Sequence, residues 1–174
     1  MPATATATPR QSPRAPIGDL RLADDRFRHR RGTERLVGSC VLVSGGVHGL
    51  ITPQHFKEWW GYGVFFAVAT LAMLVLGLAL LTDAIDPRYF PGDVIRVRRL
   101  IYAAGLVGVV LLVGMYVVSR TIGIPVGPGT GTIEPIGTTD IVAKIAELVA
   151  ALGLAVLLVK SSRAPQPSHG HGDD

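Results

Sequence analysis

Apolar residues fall in four long blocks, at 36–51, 61–81, 100–118 and 141–159, separated by polar or Gly/Pro-bearing connections. Blocks two, three and four approach the ~20 residues that a helix needs to cross ~30 Å of hydrocarbon. Each is predicted to be a transmembrane helix. The first block is weaker. Its sixteen residues rise only about 24 Å, and they include Ser39, Cys40, Ser44, His48 and four glycines. A helix of this composition belongs inside a bundle, shielded from lipid by the others. Gly45 with Gly49, Gly63 with Ala67 and Ala151 with Ala155 form small-xxx-small pairs that let helix backbones approach. The predicted fold is all-α, a four-helix transmembrane bundle at 35–160. It is flanked by a basic N-terminal segment at 1–34 and a tail at 161–174, both expected to be disordered and cytoplasmic.

Charge fixes an expected orientation. Of seventeen Lys and Arg residues, fourteen lie before block one, between blocks two and three, or after block four. Eight of these are the arginines from Arg10 to Arg35, four are Arg88, Arg96, Arg98 and Arg99, and two are Lys160 and Arg163. Cytoplasmic flanks are enriched in Lys and Arg, so both termini are expected on the cytoplasmic side. The N-terminal arginines lack a folded basic module, which argues against nucleic-acid binding. The lipid bilayer is the expected partner, together with a second copy of the chain or a membrane partner subunit. Arginine far outnumbers lysine and asparagine is absent, a bias of GC-rich bacterial genes, so the expected location is a bacterial plasma membrane. The lone Cys40 excludes an intrachain disulfide and a CxxC motif. No apolar h-region precedes block one, so no cleavable signal is expected. With four spans, no length remains for a separate soluble catalytic domain.

The connections carry their own signals. Thr52 is suited to an N-cap with Pro53 at the first helical position, predicting a second helix over 53–81, about 43 Å long. Trp59, Trp60 and Tyr62 mark the outer interface, and Tyr89 and Phe90 the inner one. The outer connection at 120–140 is rich in Gly and Pro yet also carries Ile122, Ile124, Val126, Ile133 and Ile136. An ordered loop packed over the end of the bundle is expected. Its GPGTG stretch lacks the GK[ST] ending of a phosphate-binding loop. Residues 1–16 and the tail, with His169 and His171, are compositionally disordered.

Candidate chemistry converges on the outer end. His48 shares a helix face with Cys40 and Ser44. It could serve as a metal or haem ligand, a proton relay, or an interhelical hydrogen bond that holds the bundle together. A bis-histidine haem has no second histidine in another span. His55 and Glu58, three residues apart, supply two of the three or four ligands a metal requires, or simply pair with each other. Asp140 suits the positive start of helix four, and Lys144 lies four residues on. Glu147 lies about 10 Å down that helix and needs a partner there. Lys144 is the local choice, with His48 and Arg120 the functional alternatives. With Glu134, these eight residues (His48, His55, Glu58, Arg120, Glu134, Asp140, Lys144 and Glu147) can form one outward-facing polar pocket. His48, His55 and Glu58 are the metal candidates.

The stretches VHGLITPQHFKEWWGYGVFF at 47–66, SRTIGIPVGPGTG at 119–131 and EPIGTTD at 134–140 resemble a group of bacterial four-span integral membrane proteins. That resemblance implies the bundle and a Gly/Pro-rich outer loop before the last helix, and carries no activity. The leading expectation is a non-catalytic membrane protein that binds a small ligand, an ion or a partner subunit in the outer pocket, with no cofactor. The alternatives are proton- or ion-coupled transport through Glu147 and His48, and a haem- or metal-dependent membrane enzyme.

Overall fold

The computed structural model describes residues 17–84 and 93–162, with side chains from Phe27 onward. The termini expected to be disordered, with His169 and His171, lie outside the described residues apart from the stretch from residue 17 and the first two tail serines. Tyr89 and Phe90 also lie outside them. Four helices follow in order: α1 (Ile17–Glu58), α2 (Trp60–Thr82), α3 (Val94–Thr121) and α4 (Thr138–Ser162). All four are long and apolar enough to cross a membrane, so this is the all-α, four-helix architecture of a multi-pass membrane protein. Large aliphatics such as Val68, Leu71, Val110, Leu111, Leu148 and Leu152 face outward. A water-soluble bundle would bury that surface; hydrocarbon solvates it.

Two boundaries differ from the sequence expectation. The charged stretch at 17–34 belongs to α1, which runs unbroken across the boundary set at residue 35. The span that looked too short is therefore the middle of a much longer helix. At its other end α1 continues through Pro53 to Glu58. Thr52 does not cap a new helix; its Oγ1 donates back to the His48 carbonyl at 2.7 Å. The chain reverses at Trp59, whose backbone is extended at φ −166°, ψ 136°. Two glycines explain why the reversal sits there. A Cβ on Gly63 would lie 2.2 Å from the Phe56 ring, and one on Gly61 2.4 Å from the Trp59 ring. The aromatics at the end of α1 thus fold onto the bare first turn of α2, and Thr52 offers no such partner surface.

Neighbouring helices run antiparallel, and α1 is the hub. On α1, Gly38, Gly45 and Gly49 meet Gly77, Met73 and Thr70 of α2 in descending order. The approach is closest where a Cβ on Gly38 would stand 2.9 Å from the Gly77 carbonyl oxygen. On another face of α1, Val37 fills the space over Gly153 of α4. Helix α3 packs on α4, while α2 and α3 hardly touch. The bundle is consequently closed on three seams and open along the fourth. Val37, Val41, Tyr102, Val109, Ala150 and Leu154 form the central core.

A candidate ligand site at the distal end of the bundle

The end of the bundle away from the termini, where α1 meets α2 and α3 meets α4, is called distal here. Glu147 of α4 is fully buried there, 0% exposed. An intramembrane acid near a helix centre costs roughly 2.5–3.5 kcal/mol when nothing compensates it. Three donors compensate this one. Ser44 Oγ donates to Oε1 at 2.7 Å, His48 Nε2 lies 2.9 Å from the same oxygen, and Lys144 Nζ pairs with Oε2. Ser44 and His48 are one turn apart on α1, so a single helix face delivers both. His48 is 6% exposed, and its second ring nitrogen, Nδ1, has no hydrogen-bond partner.

A second ionic group lies alongside. Arg120, at the last turn of α3, bridges Glu134 of the loop and Asp140 of α4, the latter at 2.7 Å. Its Nη1 also donates to Ser119 Oγ at 3.2 Å, whereas its Nε is buried and unpartnered. Asp140 further accepts the backbone N–H of Gly137 at 2.9 Å, capping the start of α4. The Tyr116 ring joins the two groups, with Arg120 at 5.0 Å and Lys144 at 5.1 Å from its centroid.

The loop between α3 and α4 folds over this end of the bundle, but not on its aliphatic residues. Ile122, Val126, Ile133 and Ile136 are exposed and only Ile124 is half-buried, in the cavity wall, so aliphatic packing holds little of it. Close glycine contacts and hydrogen bonds hold the rest. Gly127, at φ +87°, sits where a Cβ would stand 2.8 Å from both Trp59 and the Tyr62 hydroxyl. That hydroxyl donates to the Val126 carbonyl at 2.5 Å. Gly123, at φ +76°, lies so close to Gly131 that a Cβ would stand 2.4 Å from its backbone. Further bonds, Gly131 N to Ile124 O at 3.1 Å and Glu134 N to Ser119 O at 3.2 Å, close the loop on itself and on α3.

Together these elements enclose a cavity of about 220 Å³. Of the eight residues expected to form a pocket, His48, His55, Arg120, Glu134, Asp140 and Lys144 line it. Glu147 lies behind them, reaching the cavity through His48 and Lys144. Glu58 lies apart; it is exposed and pairs with His55 Nδ1 at 2.9 Å. The His55 ring stacks on Phe66 with centroids 4.1 Å apart and planes 7° from parallel. Among the described residues no three His, Cys, Asp or Glu side chains are gathered as a metal would require. His48 and His55 each direct a ring nitrogen to a separate carboxylate.

Sequence reasoning missed the aromatic walls, which come from Trp59, Tyr62, Phe65, Phe66 and Tyr116. It also missed a second buried carboxylate at the opposite, terminal end. Glu34 of α1 accepts from the Tyr102 hydroxyl and lies 3.8 Å from Arg98 Nη1. Arg98 reaches Asp83 of α2 at 3.8 Å, and Asp83 also pairs with Arg31. No family model, curated protein or solved structure matches this chain.

Proposed function

We propose that this protein is a non-catalytic membrane receptor or carrier whose distal cavity binds a small molecule. The observation that supports this best is the cavity wall, where aromatic rings and the side chains of His48, Arg120, Asp140 and Lys144 surround about 220 Å³ of space. The nine-tenths buried His48 imidazole is held in that wall by the Glu147 carboxylate. Concave sites with apolar walls and a few fixed polar groups are where small ligands bind. The surroundings favour binding over conduction. Between the distal carboxylate and the terminal one lies an apolar core of Val37, Val41, Val109, Ala150 and Leu154.

The site can be tested without naming its ligand. Ala143 lines the cavity and is buried, so Ala143→Leu fills the space. Native mass spectrometry of protein extracted mildly from its membrane should find wild type carrying a small-molecule adduct that the variant has lost. An adduct-free wild type, with Ala143→Leu more heat-stable, would mark the cavity as a packing void.

The distal end faces outward from a bacterial plasma membrane on this proposal, as the Lys/Arg bias of the flanks supports. In a Cys40→Ser background, Ile133→Cys should react with an impermeant maleimide on intact cells, while Ser168→Cys should not. The opposite labelling would invert the topology.

A further inference from the structure

We propose that the terminal end of the bundle seats an anionic phospholipid on α1. Its phosphate lies over Gly32, between Arg35 and Lys160 of α4, and its acyl chain runs down the outer face of α1. The proposal concerns the terminal end alone and is independent of the distal cavity.

Depth comes first. Helix α2, Trp60–Thr82, is about 35 Å long, close to the ~30 Å of hydrocarbon in a bilayer. Trp59, Trp60 and Tyr62 mark one interface, so Asp83, just past the other end of α2, lies at the opposite headgroup level. Arg98 reaches both Asp83 and Glu34 at 3.8 Å, which brings the neighbouring Arg35 and Arg99 to that level. On α4, Gly153 packs against Val37 and Thr33 of the antiparallel α1. Lys160 is two turns further on the same face of α4, level with the arginines of α1.

Charge comes next. At the distal end Arg120 is matched by Glu134 and Asp140, and Lys144 by Glu147. At the terminal end the acids run out. Glu34 and Asp83 are taken up by Tyr102, Arg98 and Arg31, and the exposed Asp93 faces Arg96. Arg35, Arg99 and Lys160 are exposed and have no acidic partner among the described residues. Each adjoins an exposed aliphatic on its membrane-ward side: Leu36, Leu100 and Val159. Cations at the headgroup level attract anionic lipid. An acidic soluble protein would use the cations but not the aliphatics beneath them, so a lipid is the better fit.

Shape selects α1 among the three helices. A hollow of about 490 Å³ lies on it, lined by Arg28, His29, Gly32, Thr33 and Leu36. Gly32 leaves its floor bare, and nothing lies within 4 Å of a Cβ built there. Arg35, two turns from Arg28, flanks the hollow on one side. On the other, beyond Thr33, comes α4 with Lys160 on its facing side. Leu36, Val43 and Leu50, each two turns apart and all exposed, continue membrane-ward from the hollow. A place for a phosphate and a track for an acyl chain thus share one helix face.

Native mass spectrometry of the full chain tests this. Protein in detergent, offered equal amounts of phosphatidylglycerol and phosphatidylcholine with the same acyl chains, should retain phosphatidylglycerol with at least fivefold preference. Gly32→Leu fills open space and should lower that preference to twofold or less, with melting unchanged or improved. The double change Arg35→Gln with Lys160→Gln should do the same, which keeps the test decisive if Gly32→Leu folds poorly. Arg96→Gln, at an exposed arginine outside the hollow, should leave the preference intact, and excess inorganic phosphate should not displace the lipid. No preference in wild type would overturn the proposal. So would an equal loss in Arg96→Gln, which would mean diffuse attraction to the whole basic end. Displacement by phosphate would assign the hollow to a small anion instead. A polyglutamate peptide that binds wild type but not Gly32→Leu, without any lipid preference, would assign it to an acidic protein.

Discussion

The two ends of this bundle each bury a carboxylate on a spanning helix, and they treat it differently. At the terminal end Glu34, 3% exposed, is packed by Tyr102 at 1% and Arg98 at 7%. Arg98 carries the network on to Asp83, at the left-handed cap of α2 (φ 61°). Every helix but α4 contributes, and Glu34, Tyr102 and Arg98 line none of the cavities described above. At the distal end Glu147 has comparable burial and a comparable set of donors, yet the groups holding it line an aromatic chamber. Buried atoms without a partner occur at both ends, Glu34 Oε2 and Arg30 Nε at one and His48 Nδ1 and Arg120 Nε at the other. A buried ionic group is thus not evidence of a ligand site by itself. The distinction lies in whether its partners pack against one another or line empty space.

The largest effect expected from that contrast is at Glu34. Glu34→Ala removes the acceptor of a buried tyrosine hydroxyl and one counter-charge of Arg98. Arg98 keeps Asp83, but the buried Tyr102 hydroxyl is left unsatisfied, a loss of roughly 1–3 kcal/mol. Thermal unfolding in detergent should therefore drop steeply, while ligand affinity of whatever protein remains folded stays unchanged. Lost affinity in a folded Glu34→Ala protein would break the contrast, since the terminal group would then be coupled to the distal one.

A smaller effect on stability, with a larger one on binding, is expected for the double change Lys144→Leu with Glu147→Leu. Removing both charges together strands neither, and pairs replaced by apolar side chains are often neutral or better. Ser44 and His48 lose their acceptor, for a net cost of at most about 2 kcal/mol. His48, no longer held on Nε2, loses its fixed orientation, and binding should fall at least tenfold. If the double variant binds normally, Glu147 is only the neighbour that neutralises Lys144, and the two ends of the bundle are alike.

How much of this was legible follows from what hydropathy encodes. Four spans were visible because an apolar block reports directly on its solvent. The convergence of His48, Arg120, Asp140, Lys144 and Glu147 was visible because their depths follow from helical rise once the spans are known. What failed depended on contacts between helices. The α1–α2 boundary was placed at Thr52 because a Thr-Pro pair is a local start signal, whereas the true reversal depends on Phe56 and Trp59 finding Gly63 and Gly61 across the turn. The loop aliphatics suggested burial; its glycines, which meet Trp59, Tyr62 and one another, are what order it. Glu34 passed as one more charge in a basic lead-in. Only the extension of α1 to Ile17 and the register that sets it against Tyr102 reveal its burial. The open α2–α3 seam has no sequence signature, because a helix face turned to a cleft and one turned to lipid carry the same residues.

The smallest expected effect is the finest probe of the distal group. Ser44 is fully buried and donates to Glu147 Oε1 at 2.7 Å, but it does not line the cavity. Ser44→Ala deletes one hydroxyl and creates no unpaired donor, and Oε1 still has His48 Nε2 at 2.9 Å. Loss of a single hydrogen bond of this kind costs about 1 kcal/mol, read as a modest drop in melting temperature. Because Lys144 still holds Oε2, the carboxylate and His48 keep their orientation, and ligand affinity should change by less than about threefold. A Ser44→Ala protein with normal melting but tenfold weaker binding would show that the carboxylate needs all three donors to aim His48. The distal group would then act as one preorganised unit, and binding would depend on the aim of the imidazole.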